Sequence, residues 1–207
     1  MTTFDEHSFD KTYWEHHWHG AGPDRRQPRP HPYLAAQTAH LEPGRALDAG
    51  CGAGAEAVWL AGQGWQVTGA DISGTALTAA RAHGRRAGVA DRLEWVEIDL
   101  LTWEPARTWD LVVTSYAHPA IPQLDFYRRL ATWVATGGTL LIVAHLSTAG
   151  PAHHHPSGAT ATRDDIGELL TAPSWHVEVA REHIRTVTTA AGQRELADVV
   201  VRAHRMA

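Results

Sequence analysis

The chain has 207 residues, 43% hydrophobic and 20% charged, with a formal net charge of −5. That length suits one well-buried domain spanning residues 1–207, and the acidic balance without a basic block argues against a nucleic-acid binder. Cys51 is the single cysteine, which excludes an intrachain disulfide. No apolar run approaches the roughly 18 residues of a spanning helix and the acidic N-terminus is no signal peptide, so the expectation is a cytoplasmic protein without a membrane partner.

Residues 1–20 are rich in aromatics and histidines. Tyr13, Trp14 and Trp18 lie four or five apart and can share one helix face. Such a segment, within residues 1–30, either staples itself to the body or covers a site as a lid. His16 and His19 have a metal-compatible spacing, but no cysteine or acidic cluster completes a set, and no metal is expected there. Gly20 to Pro32 reads as a loop, and His31 to Leu41 as a helix with Pro32 in its first turn. Pro43-Gly44 ends it.

Ala46-Leu47-Asp48-Ala49-Gly50-Cys51-Gly52-Ala53-Gly54 then passes from an apolar strand through alternating glycines into a helix, Glu56 to Ala61. Glycine admits positive φ and a close ligand approach, and the free N–H groups of a helix start face what binds there. Gly50-x-Gly52-x-x-Ala55 also satisfies the dinucleotide pattern, so the glycines alone leave the cofactor open. Asp48 shifts the balance: a carboxylate sits badly beside a pyrophosphate and well beside a cationic amino group. Cys51 reads as a small packing residue between glycines.

Trp65 to Asp71 is the second strand, and Asp71 closes it where a ribose-binding acid belongs; capping the next helix, Thr75 to Gly88, is its alternative role. Leu93 to Leu100 is a third strand ending in Asp99-Leu100. Trp109 to Pro119 is the fourth strand and its exit loop, which carries Ser115-Tyr116-Ala117-His118. Gln123 to Thr136 reads as a helix with Arg128 and Arg129 outward, Gly137-Gly138 as its stop, and Thr139 to Ala144 as a buried strand. His145 to Ala161, with His153, His154 and His155, is a loop with substrate contact or metal binding as its sharper readings. Thr162-x-x-Asp165 has capping-box spacing for a helix through Leu170. Trp175 to Thr188 and Glu195 to Ala203 form two long strands around Ala190 to Gln193.

From about residue 30 to 205 this pattern resembles the class I S-adenosylmethionine-dependent methyltransferases, most nearly the small-molecule type of tellurite-resistance and thiopurine methyltransferases. Asp48, Gly50, Gly52 and Gly54 fill the family's D/E-x-G-x-G-x-G motif, and Asp110-Leu111-Val112 resembles its fourth-strand start. The resemblance implies a doubly wound, mostly parallel seven-stranded α/β sheet with an antiparallel C-terminal pair. It also implies S-adenosylmethionine as cofactor. Asp48 and the glycine loop would hold its methionine part, Asp71 with Ile72 the ribose, and Asp99 with Leu100 the adenine, with Ser115 a further cofactor contact.

Trp14 and Trp18 would cover the site, Tyr116, His118 and His145 would face the acceptor, and His118 is the candidate base. The D/N-P-P-Y sequence of nucleobase and glutamine N-methyltransferases is absent, which argues against DNA modification, and without a substantial inserted domain the expected acceptor is a small molecule, a thiol, oxyanion or hydroxyl. Its identity and the oligomeric state stay open. Two other classes remain: a non-catalytic S-adenosylmethionine- or metal-binding sensor, and an NAD-dependent oxidoreductase, for which the Tyr-x-x-x-Lys pair is not evident.

Overall fold

The computed structural model describes residues 9–20, 29–146, 160–189 and 192–207. The predicted histidine loop, His153 to His155, lies outside them. The strands are β1 (Arg45–Ala49), β2 (Gln66–Asp71), β3 (Leu93–Glu97), β4 (Trp109–Ser115), β5 (Val134–His145), β6 (Trp175–Thr189) and β7 (Gly192–Arg205). They form one sheet in the order β3-β2-β1-β4-β5-β7-β6. The first five are parallel, and β7 pairs antiparallel with β5 and with β6. The chain winds outward from β1 towards β3, then returns to place β4 on the other side of β1. That reversal opens a crevice at the C-terminal strand ends, where open α/β sheets bind ligands.

Period-two alternation divides the core between the two sheet faces. Leu47, Val112, Leu140, Ile142, Val199 and Val201 enter one cluster with helices α5 (Gln123–Thr132) and α6 (Arg163–Leu169), through Phe126, Tyr127, Leu130 and Ile166. Ala46, Leu111, Val113, Leu141, Val143 and Val200 enter the other, against α2 (Leu34–Thr38) and α3 (Ala55–Gly62), through Leu34, Val58 and Leu60. Each fully buried aliphatic side chain is worth about 1.5–3 kcal/mol. The remaining helices are α1 (Lys11–His19) and α4 (Gly74–Arg86).

The expected capping box forms: Thr162 Oγ1 accepts from Asp165 N, and the Asp165 carboxylate accepts from Thr162 N. Two expectations are corrected. Helix α5 stops at Thr132, and Gly137-Gly138 lies inside β5 rather than before it. Trp109 faces Val134 while Leu111 faces Thr139, so the extra residues of β5 bulge, with Gly137 at φ 78°. Arg129 does not point outward; its guanidinium donates to the carbonyls of Leu100 and Trp103 and fixes the loop after β3.

Candidate active site

The site starts with the backbone after β1. Gly50, Gly52 and Gly54 all adopt positive φ, at 78°, 51° and 77°. The N–H groups of Gly50 and Cys51 donate to Ala70 O at 2.9 and 3.1 Å, so the loop is tied to the end of β2. A Cβ on Gly52 would stand 2.6 Å from Trp18 Cζ2, and one on Gly50 would stand 2.7 Å from Ala117 Cβ. Here the glycines make room for close neighbours as well as for a turn. Gly54 differs: as N-cap of α3 its missing Cβ accommodates Trp95 and Ala80, and it does not line the cavity. Cys51 is buried, as expected, and burial pushes its thiol up, away from reactivity.

Asp71 sits at the end of β2. One carboxylate oxygen accepts from Gly52 N at 2.8 Å and the other from Ser73 N at 2.9 Å. It therefore shapes the loop and still presents lone pairs to the cavity, while the helix cap it was weighed for belongs to Ser73, which accepts from Ala76 N. Burial raises the Asp71 carboxyl above the ordinary range, against the lowering by Ser73 and Gly52 N–H. Asp99 accepts from Leu101 N at 2.9 Å and, with Leu100, lines the same cavity.

Asp48 is placed differently from expectation. It is buried behind the glycine loop, accepts from Ala57 N at 3.0 Å and is not in the cavity wall. The carboxylate that reaches the cavity from the start of α3 is Glu56, which accepts from His31 N at 3.0 Å. Burial, then Glu56, raises the Asp48 carboxyl; burial likewise raises Glu56 against the His31 N–H. Three crowded acids at one loop favour a cationic ligand group, which would stabilise their ionised forms.

Helix α1 roofs this arrangement without burying a residue of its own. Asp10 caps it through Tyr13 N at 2.9 Å, Glu15 accepts from Gly74 N at 2.7 Å, and Lys11 pairs with Glu97 at 2.7 Å. Trp14 and Trp18 both line the cavity below. The 1–20 segment thus carries a helix over the site in its described part, residues 9–20.

The far end is polar. Asp198 of β7, with no exposed surface, receives Tyr33 Oη at 3.0 Å, Tyr116 Oη at 3.2 Å and Arg185 Nε at 2.5 Å on Oδ2, and meets His145 Nδ1 at 3.0 Å through Oδ1. Burial opposes its ionisation, but the hydrogen bonds of His145, Arg185 and Tyr33 hold the carboxyl down at about 2. The same cluster pushes the Tyr33 phenol up to about 12, burial first and then Asp198. Tyr116 carries φ 54°, a costly conformation for a bulky residue that the packed cluster enforces. His31 is held at about 4, chiefly by burial, and is neutral near pH 7.

One cavity of about 1040 Å³ gathers these groups. Gly50, Gly52, Asp71, Ile72, Asp99, Leu100, Ser115, Tyr116, His118, His145, Trp14 and Trp18 line it; Asp48 and Gly54 stand behind it. Glu56, His31 and Arg185 line it too, unanticipated, and Asp198 closes its polar end from beneath. Ser115 Oγ and His31 Nε2, on two residues of this lining, are buried and have no hydrogen-bond partner among the described residues. A glycine cradle and strand-end acids fit a ligand carrying an amino group, ribose hydroxyls and a purine.

Residues 46–138 match the family model described as a methyltransferase domain. These residues are a methyltransferase domain. Its fold is that of the class I S-adenosylmethionine-dependent methyltransferases, the domains whose cofactor is S-adenosylmethionine. The methyltransferase fold extends further than the matched segment. Magnesium protoporphyrin IX methyltransferase from Synechocystis PCC 6803, solved with bound S-adenosylhomocysteine, superposes at TM-score 0.68 and 18% identity over 95% of this chain and 99% of that one.

Among curated proteins, the ribosomal RNA small subunit methyltransferase C of Alcanivorax borkumensis is 39% identical over 110 residues, 50% of this chain. The probable thiol methyltransferase 2 of Arabidopsis thaliana is 34% identical over 101 residues, 48% of this chain. The chain spans only 33% and 45% of those two relatives' lengths. Among the described residues no helix is long and apolar enough to cross a membrane.

Proposed function

We propose that the protein is a methyltransferase acting on a small-molecule acceptor, with a protic nucleophile such as a thiol or hydroxyl. The observation that carries this reading is the convergence of Asp71, Asp99 and Glu56 with the glycine loop at one end of a cavity whose other end is polar. When bound, S-adenosylmethionine supplies a methyl group activated by its sulfonium and a neutral thioether as leaving group.

The chain's own residues bind, orient and exclude water. Asp71 would accept the ribose hydroxyls, with Ile72 beside it, and Asp99 and Leu100 would hold the adenine edge. Glu56 and the glycine loop would hold the amino acid part, with Asp48 acting indirectly by fixing the start of α3. Ser115 and His31 offer hydrogen bonds still unmet. Trp14 and Trp18 exclude water from above, while Tyr116, His118 and His145 face the acceptor. Holding two reactants in line is worth up to about 7–11 kcal/mol.

A small acceptor accords with the net charge of −5, which opposes RNA despite the ribosomal RNA relative. The thiol methyltransferase relative supports testing thiols first.

Titration calorimetry with S-adenosylmethionine, S-adenosylhomocysteine and NAD, followed by a panel of thiols, phenols, alcohols and oxyanions, tests this reading. Binding of both sulfur ligands and release of S-adenosylhomocysteine with at least one acceptor are expected. Binding of NAD alone would overturn the cofactor assignment, and binding without turnover across the panel would favour a sensor.

A further inference from the structure

We propose that His145 and Asp198 form a catalytic dyad, with His145 Nε2 the general base that deprotonates the acceptor and Asp198 the residue that sets its tautomer. The inference rests on the methyl-transfer reading above and assigns its acceptor chemistry: a group that must lose a proton to react.

His145 ends β5 and Asp198 lies directly opposite it on β7. Their side chains meet at 3.0 Å through Nδ1 and Oδ1. Asp198 is fully buried and its carboxylate can only accept, so Nδ1–H donates to it, and Nε2 is the ring position left to take a proton. Among the described residues Nε2 has no hydrogen-bond partner, and the ring lines the cavity, 30% of its side chain exposed. Tyr116 holds the ring from one side, with centroids 4.3 Å apart and planes at 28°. His118 also lines the cavity, but its ring stacks on Phe9 of the lid segment, at 5.5 Å between centroids. A buried carboxylate behind an imidazole is the arrangement that orients a histidine base.

Oδ2 of Asp198 explains why the tautomer is fixed. It already receives Tyr33 Oη, Tyr116 Oη and Arg185 Nε. Only Oδ1 remains for His145. The groups around the Asp198 carboxylate are therefore His145 from β5, Arg185 from β6, Tyr116 from the β4 exit and Tyr33 ahead of α2. Arg185 offsets the charge of Asp198, so the pair orients the imidazole without adding a net charge to the pocket.

In the reaction, the acceptor O–H or S–H proton passes to Nε2. The electron pair left on oxygen or sulfur forms the new bond to the methyl carbon as the carbon–sulfonium pair stays on sulfur. The imidazolium then returns its proton to solvent, and S-adenosylhomocysteine and the methylated acceptor leave.

Asp198→Asn is the sharpest probe. The amide nitrogen cannot occupy the Oδ2 position, where three donors converge, so it must face His145, donate to Nδ1 and force the proton onto Nε2. The base is then lost although the size is unchanged. The experiment combines two readouts on the full chain. Nitrogen-15 spectra of labelled histidine should find His145 protonated on Nδ1 in the wild type and on Nε2 in Asp198→Asn.

Turnover is compared on phenol, which needs a base, and on thiophenol, already ionised at the assay pH. His145→Gln, which can still donate to Asp198 but takes no proton, should lower phenol turnover by about 10²–10⁴-fold and thiophenol turnover by less than tenfold. Calorimetric affinity for S-adenosylmethionine should be unchanged. Equal losses on both acceptors, or an Nε2–H tautomer in the wild-type spectrum, would overturn the dyad; the spectrum decides even if neither probe is methylated. Loss of S-adenosylmethionine binding by the wild type would instead overturn the methyl-transfer reading.

Discussion

Gly52→Ala tests whether the lid rests where the structure puts it. Gly52 has φ 51°, and its added Cβ would lie 2.6 Å from Trp18 Cζ2 and 3.1 Å from Cη2. The left-handed backbone alone costs an alanine about 1–2 kcal/mol. For a protein of this size that predicts a Tm lower by about 2–8 °C. The overlap adds a separate effect. Because α1 buries no residue, it should yield rather than the core, so that Trp18 lifts from the loop and the helix loses its seat.

Amide exchange of residues 11–19 should therefore quicken in Gly52→Ala, while exchange in β1 and β4 follows only the global loss. The double variant Gly52→Ala/Trp18→Ala separates the two contributions as a cycle. Removing the indole should leave the backbone cost and abolish the lid effect. If Gly52→Ala accelerates exchange in α1 equally with and without Trp18, the contact between loop and lid is refuted.

Asp71→Ala should weaken S-adenosylmethionine binding by about 10–100-fold, the worth of one hydrogen bond to a charged group; calorimetry showing unchanged affinity would remove it as the ribose acid. Glu56→Gln should strengthen the empty protein above neutral pH while weakening the cofactor. A carboxyl raised in the folded state contributes stability below its ordinary value of 4.5, lost as pH rises through the raised one. Denaturation against pH, with and without ligand, checks both signs, and a destabilised Glu56→Gln would contradict the crowding of the acids. Asp198 has the opposite sign. Its stabilisation is present above about pH 4 and lost as pH falls towards about 2; Asp198→Asn should flatten that acid limb.

The sheet could be read from the chain because its signals are local: buried apolar runs, glycine loops after strands, and an acid at successive strand ends. The site was legible where those signals coincided, at Asp71 and Asp99. It was not where the decisive relation was tertiary. Asp198 stands between Ala197 and Val199, and a lone acid in an alternating strand reads as solvent-facing; only the pairing of β7 with β5 sets it beside His145. Glu56 has the sequence position of any acid in a first helical turn, and nothing local marks it as a cavity residue. Asp48 carried the motif but spent its carboxylate on Ala57 N, and Gly137-Gly138 read as a stop because a bulge and a boundary use the same residue.

The antiparallel hairpin of β6 and β7 has an evolutionary consequence. Arg185 and Asp198 both come from it, whereas the glycine loop, Asp71, Asp99 and Ser115 come from the strands and loops between residues 45 and 115. The matched domain, residues 46–138, ends before the hairpin begins. In the proposed roles the donor contacts fall mainly between residues 45 and 115, whereas the acceptor-facing groups Tyr116, His118 and His145 meet the hairpin's Arg185 and Asp198 from elsewhere in the chain. Exchange of residues 175–205 for those of a relative should alter the acceptor range while the donor affinity persists, so the hairpin behaves as a cassette on which new specificities can be selected.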